Sequence, residues 1–596
     1  MCTGENLASK LILEKFPLGY FRREIVSKLM KYIELFAGCG GLSLGLRAAG
    51  GKMLLANELS PMAAETFAYN LLGEDLEAIA KAGSPERDRL ATKWLSSKFG
   101  MHELDKRLKE NPQEYPPLGT QYGDLGADGA DLKGALVVGN VRQLNAWLND
   151  PLNRSALERL RNGFGDGNVD LVSGGPPCQS FSMAGMREYT NSRNDLPWEF
   201  AKFVQLARPK VALLENVTGI LRPFQVEGSE VFAWVEVAKA FARIGIEGEE
   251  DAGQARGGYV PLCLHVNAKF AGVAQNRTRF IMLSFRRDVF DILVGVMDGR
   301  DRELLQSSLE FFEKAREGKP IRRHDLPLYD AAKVRGLLDG TFLAGLSTSG
   351  QPPTAMDAID DLMGNGISQS KYVLGINKLL GAKLRFPENS SIRTDEVANH
   401  AIRKHGPDVQ ARFGVYQVLS EFGKGSLITA AVQKLLRGDA DELDMEAWKH
   451  MSSRSYFTSV GPSFYQFETK VGFEAFLFDL RTKKSSQQAL VANEPAPAAL
   501  SIPDDVCHYH RSVDGLRTLT VREMARIQSF PDNFVFRSKA TTGGEKRKYE
   551  VPQYTQVGNA VPPLLGYALG EIIQKLLHQY HQNVDQTPQR GLLQAA

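Results

Sequence analysis

Five short apolar runs within the first 220 residues each end on a residue that can bind a ligand or react. Residues 32–36 run into Ala37-Gly38-Cys39-Gly40-Gly41, and 53–57 end at Glu58. Residues 135–138 pass through Gly139 to Asn140, and 169–172 lead into Gly174-Gly175-Pro176-Pro177-Cys178. The fifth run, 210–214, ends at Glu215-Asn216-Val217. Stretches of helical spacing separate them: Leu42, Leu44, Leu46 and Ala49 after the first, then 142–149 and 197–206. Buried strands alternating with helices predict a doubly wound, mostly parallel α/β sheet whose ligand sites lie along the carboxyl ends of the strands. Gly38, Glu58, Asn140, Cys178 and Glu215 all fall at such ends.

Read singly, these ends are ambiguous. The glycine loop has Ser43 where a third glycine would complete a dinucleotide fingerprint, so a tight structural turn competes with a cofactor loop. Glu58 stands where ribose hydroxyls are bound in such folds, or is a solvated strand end. Cys178 sits on a loop stiffened by two prolines, a setting that suits a reactive thiol, although most free cysteines are small buried hydrophobes. Farther on, alternation in Gln275-Asn276-Arg277-Thr278-Arg279 predicts Gln275, Arg277 and Arg279 on one strand face, or else an exposed basic edge.

The rest of the chain divides around this frame. Residues 1–30 read as a helical leader, and 71–134 as a surface insertion with a helix over 86–110. From 291 to 515 no period persists, so a second, irregular domain or a long insertion is expected. Residues 516–596 return to the first domain, 31–290, through a helix over 564–577 that packs on the sheet, with a frayed tail from 581. A chain of 596 residues exceeds one compact core. Its five cysteines, at 2, 39, 178, 263 and 507, form no C-x-x-C pair, so neither a metal site nor a disulfide framework is expected. No membrane span or secretory leader is expected, and a net charge of +2 neither demands nor excludes nucleic acid.

A thiolate, a carboxyl group on the next strand and arginines nearby have a common use on a pyrimidine. Thiolate addition at carbon 6 makes carbon 5 electron-rich enough to attack an electrophilic methyl group. A carboxyl group at ring nitrogen 3 and guanidinium groups at the carbonyl oxygen stabilise the charge that develops.

Six ordered stretches give the chain a family resemblance. They are residues 36–41, 174–182, 215–217 and 275–279, then 522–531 (Arg-Glu-Met-Ala-Arg-Ile-Gln-Ser-Phe-Pro) and 556–563 (Gln-Val-Gly-Asn-Ala-Val-Pro-Pro). In these the chain resembles the cytosine-5 DNA methyltransferases that use S-adenosylmethionine, of the prokaryotic type. The resemblance implies that Cys178 is the nucleophile, that Glu215 engages nitrogen 3 and the exocyclic amine, and that Arg277 and Arg279 contact the base. It implies that Phe36, Gly38, Gly40, Glu58, Asn140, Leu196 and Asn559 hold the cofactor. Asn140 departs from the family's usual Asp. The resemblance further implies a target-recognition domain at 291–515, double-stranded DNA as partner, base flipping, and a mobile lid over 182–195. A bacterial cytoplasmic monomer, with a restriction endonuclease acting separately, is the expected setting. Cytosine methylation of transfer RNA and a catalytically silent DNA-binding homologue are the alternatives.

Overall fold

The computed structural model describes residues 29–83, 89–119, 122–177, 195–226, 229–245, 257–348, 350–364, 366–387, 397–423, 425–458, 461–484, 487–498 and 506–593. Its centre is a nine-stranded sheet. In chain order the strands are β1 (Met30–Leu35), β2 (Gly51–Glu58), β3 (Thr92–Trp94), β4 (Ala135–Val138), β5 (Leu171–Gly174), β6 (Val211–Val217), β7 (Tyr259–Asn267), β8 (Thr278–Arg286) and β9 (Leu328–Asp330). Across the sheet the order is β9-β7-β8-β6-β5-β1-β2-β4-β3. Only β8 runs antiparallel to its neighbours β6 and β7. The central strands are mostly apolar because helices cover both faces: β4 and β5 are buried at every position.

Helices α1 (Gly41–Ala48), α2 (Val141–Asn149), α3 (Leu196–Ala207) and α4 (Ala233–Arg243) follow the strand ends. The sequence after 400 adds α5 (Pro407–Leu419), α6 (Leu427–Arg437), α7 (Met445–Met451) and α8 (Lys470–Asp479), then α9 (Val521–Ile527), α10 (Gln553–Asn559) and α11 (Pro563–Leu593). Helix α11 lies on α1 at backbone contact: a Cβ on Gly45 would stand 2.4 Å from the Pro563 carbonyl oxygen, and one on Gly41 2.3 Å from that of Val561. So the return segment completes the cover of the sheet, and its helix continues past 581, where the sequence suggested fraying.

The buried cores divide the chain differently from the boundary at 290/291. Phe311, Phe312, Leu338, Leu343, Ile359 and Ile376 belong to the main core, and β9 joins the sheet. The second core is confined to residues 411–516, where Phe413, Val418, Leu436, Tyr456, Phe473 and Leu477 pack together. Elements between 300 and 380 are short, so their periodicity is hidden while their burial is not. Residues 71–134 also depart from a surface insertion. Thr92–Trp94 extends the sheet beside β4, and Trp94, Leu95, Leu104 and Leu108 enter the main core. The helix over 86–110 is confined to Leu104–Arg107. Arg107, which reads as a surface charge, is buried against Asp124 at 2.7 Å and donates from Nε to the Phe99 carbonyl oxygen.

Candidate active site

Every predicted rim residue that lies in the described part of the chain stands at the carboxyl edge of β1, β2, β4 or β6, or on a segment packed there. The turn after β1 carries Phe36, Gly38 and Gly40 at φ 56°, 55° and 96°. For Phe36 that left-handed backbone costs free energy, and its partly buried side chain packs against the main core. The two glycines serve different ends. A Cβ at Gly38 would meet open space, whereas one at Gly40 would strike Leu71 Cδ1 at 2.5 Å. Gly38 therefore leaves room at the rim, and Gly40 lets the turn pack on the helix that follows β2.

Glu58 ties the first two strand ends together. Its Oε2 accepts from Gly38 N and its Oε1 from Ser60 N, both at 2.8 Å. Burial pushes its carboxyl above the ordinary range, opposed by those backbone N–H groups. Two acceptor positions remain on the carboxylate, enough for a pair of vicinal hydroxyls. Gly139 N donates to the Glu58 carbonyl oxygen at 3.0 Å, which sets Asn140 one strand over. Asn140 Oδ1 caps α2 through Arg142 N at 2.9 Å. Arg142 lies 3.6 Å from Asp195, which brings the start of α3, and with it the half-buried Leu196, to the same edge. Asn559 is exposed at the end of α10, held near by the Gly41–Val561 contact.

Glu34, which drew no notice in the sequence, is buried beneath this rim and hydrogen-bonded by Ser43 Oγ. Burial pushes its carboxyl up to about 8, so a proton resides there at neutral pH. An acidic residue inside an otherwise apolar strand was the available signal.

At the end of β6, Glu215 is 8% exposed, and its Oε1 lies 2.7 Å from Arg279 Nε. Among the described residues no hydrogen bond reaches its Oε2. Gly175 makes room for that oxygen: a Cβ there would come within 2.9 Å of it. Asn216 Nδ2 donates to the Pro176 carbonyl oxygen at 3.0 Å, fastening the Pro176-Pro177 loop to β6 two residues before Cys178. Cys178 itself, with the predicted lid residues 182–194, lies outside the described residues.

The two arginines are buried together but aimed apart. Gln275–Asn276 pairs with Ala496–Pro497, outside the main sheet, and β8 starts only at Thr278. Arg279 reaches Glu215, while Arg277 Nη2 donates to the carbonyl oxygens of Gly558 and Ala560 at 2.9 and 3.2 Å. Arg277 thus grips the backbone on both sides of Asn559. Burial holds both guanidinium groups below their usual range, with Glu215 opposing the shift.

The sequence profile of C-5 cytosine-specific DNA methylases matches residues 30–88 and 156–575, four-fifths of the chain, and takes in the ends of β1, β2, β5 and β6 but not β4 and Asn140. The chain belongs to that family. Like other members of the C-5 cytosine-specific DNA methylase family, it is a methyltransferase, built on the methyltransferase α/β sheet. Its relatives include the type II methyltransferase M.DdeI of Desulfomicrobium norvegicum, 23% identical over 91% of this chain and 88% of that protein. The type II methyltransferase M.AgeI of Thalassovita gelatinovora is 26% identical over 91% of this chain and 99% of its own. Among solved structures, a Dnmt2 methyltransferase of S. pombe aligns with 92% of this chain and 98% of its own at 12% identity, with a TM-score of 0.34. This methylase's fold rests on its own sheet order rather than on that likeness.

The family's methyl donor, S-adenosylmethionine, suits the rim by its chemistry. A carboxylate with free acceptor positions faces the edge, Gly38 leaves space beside it, and Phe36 and Leu196 offer partly exposed apolar surface. Among the described residues no group of three or more His, Cys, Asp or Glu is placed to hold a metal ion, and no helix is long and apolar enough to cross a membrane.

Proposed function

We propose that this methylase transfers a methyl group to carbon 5 of cytosine within one short sequence of duplex DNA, as a modification enzyme in the bacterial cytoplasm. The observation that carries the reading is Glu215: a carboxylate at a strand end with one oxygen committed to Arg279 and the other open, beside a loop that leads straight to Cys178. Cys39, Cys263 and Cys507 are buried, and burial pushes their thiols up, so none of them serves as a nucleophile at neutral pH.

In this reading the target cytosine leaves the duplex and enters the space above β5 and β6. Cys178 adds as thiolate to carbon 6. Glu215 Oε2 holds the proton shared with nitrogen 3 and accepts from the exocyclic amine, while Arg279 keeps the carboxyl group in place. Carbon 5 takes the methyl group, and loss of its proton to a base then expels the thiolate and restores the ring. Glu58, Gly38, Phe36, Asn140, Leu196 and Asn559 hold S-adenosylmethionine, which supplies the electrophilic methyl group. Arg277 acts one step back, by fixing the backbone on either side of Asn559. The region around the second core reads the target sequence. The names of M.DdeI and M.AgeI as type II methyltransferases support a partner endonuclease that recognises the same site.

Bisulfite sequencing of DNA from a methylation-free host expressing the protein, beside a Cys178→Ser control, tests this. Protected cytosines in one sequence context, absent from the control, are expected. No protected cytosine in DNA, with labelled methyl transfer to transfer RNA instead, would overturn the DNA substrate.

A further inference from the structure

The inserted segment that extends the sheet beyond β4 sits beside the cofactor rim. At this end the strand order is β1, β2, β4, β3, and neighbouring strands lie about 4.8 Å apart. Gly38, Glu58 and Asn140 mark the ends of the first three, and the chain leaving β3 stays close. Leu95 N donates to the Val138 carbonyl oxygen at 2.9 Å, and a Cβ at Gly139 would lie 2.7 Å from Leu95 Cβ. Ser96 Oγ and Gln143 Nε2 both donate to the Pro116 carbonyl oxygen, at 2.8 and 3.0 Å, which fastens the segment over the first turn of α2. Tyr115, next to Pro116, donates its hydroxyl to the Leu59 carbonyl oxygen at 3.2 Å, one residue beyond Glu58. Pro116 is buried, whereas the Tyr115 side chain keeps part of its surface open. Burial, with Glu110 and Glu58 nearby, pushes its phenol well above the ordinary range, so it stays a neutral donor.

We propose that residues 95–118 form the outer wall of the nucleoside half of the cofactor pocket, and that the ring of Tyr115 is the binding face of that wall. This rests on the reading of S-adenosylmethionine as methyl donor. A ribose held at Glu58 sends its purine outward across the sheet edge. One strand spacing brings the purine to Asn140, and the next brings it to the segment leaving β3. A heteroaromatic ring there needs a flat apolar surface, which Tyr115 supplies with its hydroxyl tied to Leu59 and the next residue's carbonyl tied to Gln143. Without the insertion, β4 would be the edge strand and the purine would face water.

The test is calorimetric titration of the full chain with S-adenosylhomocysteine and, separately, with adenosine. Tyr115→Ala should weaken both by about tenfold, Tyr115→Leu by about fivefold, and Tyr115→Phe by no more than about twofold. Affinity for duplex DNA, measured by gel shift without cofactor, should not change in any variant. Equal affinity of the alanine variant and the parent overturns the proposal. So does equal weakening by alanine and phenylalanine, which would assign the effect to the hydroxyl bond alone, and so does a parallel loss of DNA affinity. Should the alanine variant fail to fold by circular dichroism, the leucine and phenylalanine variants decide, and equal affinities there count against the wall. A parent protein that binds neither nucleoside refutes the methyl-donor reading itself, a result distinct from all of these.

Discussion

Glu215 and Glu523 each meet an arginine at 2.7 Å, but their remaining bonds differ. Glu523, at the start of α9, is fully buried. Arg517 donates to both of its oxygens at 2.7 Å, and Thr520 N adds a third bond at the same distance. Those donors hold its carboxyl below the ordinary range in spite of burial. Glu215 has one arginine nitrogen and a rim position, and among the described residues no hydrogen bond reaches its second oxygen. A fully buried carboxylate with three donors on its two oxygens can only hold the protein together, whereas one left short at a rim can exchange a proton with a ligand. The contrast separates a structural pair from the one proposed to work, within the same chemistry.

The largest expected effect tests the working side. Glu215→Gln should lower kcat by about 10²–10⁴-fold, the usual contribution of a positioned acid, with the melting temperature moved by only a few degrees. A large fall in melting temperature with kcat preserved would reverse the assignment. Glu523→Gln should do the opposite. Breaking one side of a fully buried pair should remove about 3–5 kcal/mol of unfolding free energy in urea, with turnover per folded molecule retained.

A smaller effect comes from His508, whose Nε2 lies 3.7 Å from Glu523. Its Nδ1 accepts from His510 N at 3.0 Å, and burial holds the ring down to about 4. The unfolded chain therefore binds a proton near pH 6.5 that the folded one refuses until about pH 4. Stability should be complete above pH 6.5 and fall as pH drops through that window, by up to about 3 kcal/mol. His508→Gln should flatten the fall. The smallest effect sharpens the comparison at Glu215 itself. Gly175→Ala puts a methyl group 2.9 Å from Oε2, and since that oxygen can swing away, the change should cost about tenfold in kcat and almost nothing in stability.

The sequence exposed the rim because strand ends in a buried parallel sheet are punctuated by glycine and by polar residues. That is why Gly38, Glu58, Asn140 and Glu215 could be found without coordinates. It missed what depends on partners distant in the chain. Arg277 and Arg279 alternate as a strand would, but the chain rejoins the main sheet only at Thr278, and Arg277, just before it, turns to carbonyl groups nearly 300 residues away. Trp94 and Arg107 sit in a charged, turn-rich stretch, and only their pairing with Asp124 and the main core explains their burial. Asn399, His400 and His405 pin Phe536, Thr520 and Thr518, each more than 100 residues away in the chain.

The glycine contacts between α1 and α11 also set an order of events during synthesis. Gly41 and Gly45 must receive the backbone at 561–567, which the ribosome makes about 500 residues later. At roughly 5–20 residues per second, that is a delay on the order of half a minute to two minutes. Throughout it the side of α1 that carries Gly41 and Gly45 lacks its cover, and the turn after β1 lacks its neighbour Asn559. The nascent chain therefore exposes apolar surface until translation is nearly finished, and it needs protection from aggregation while it waits.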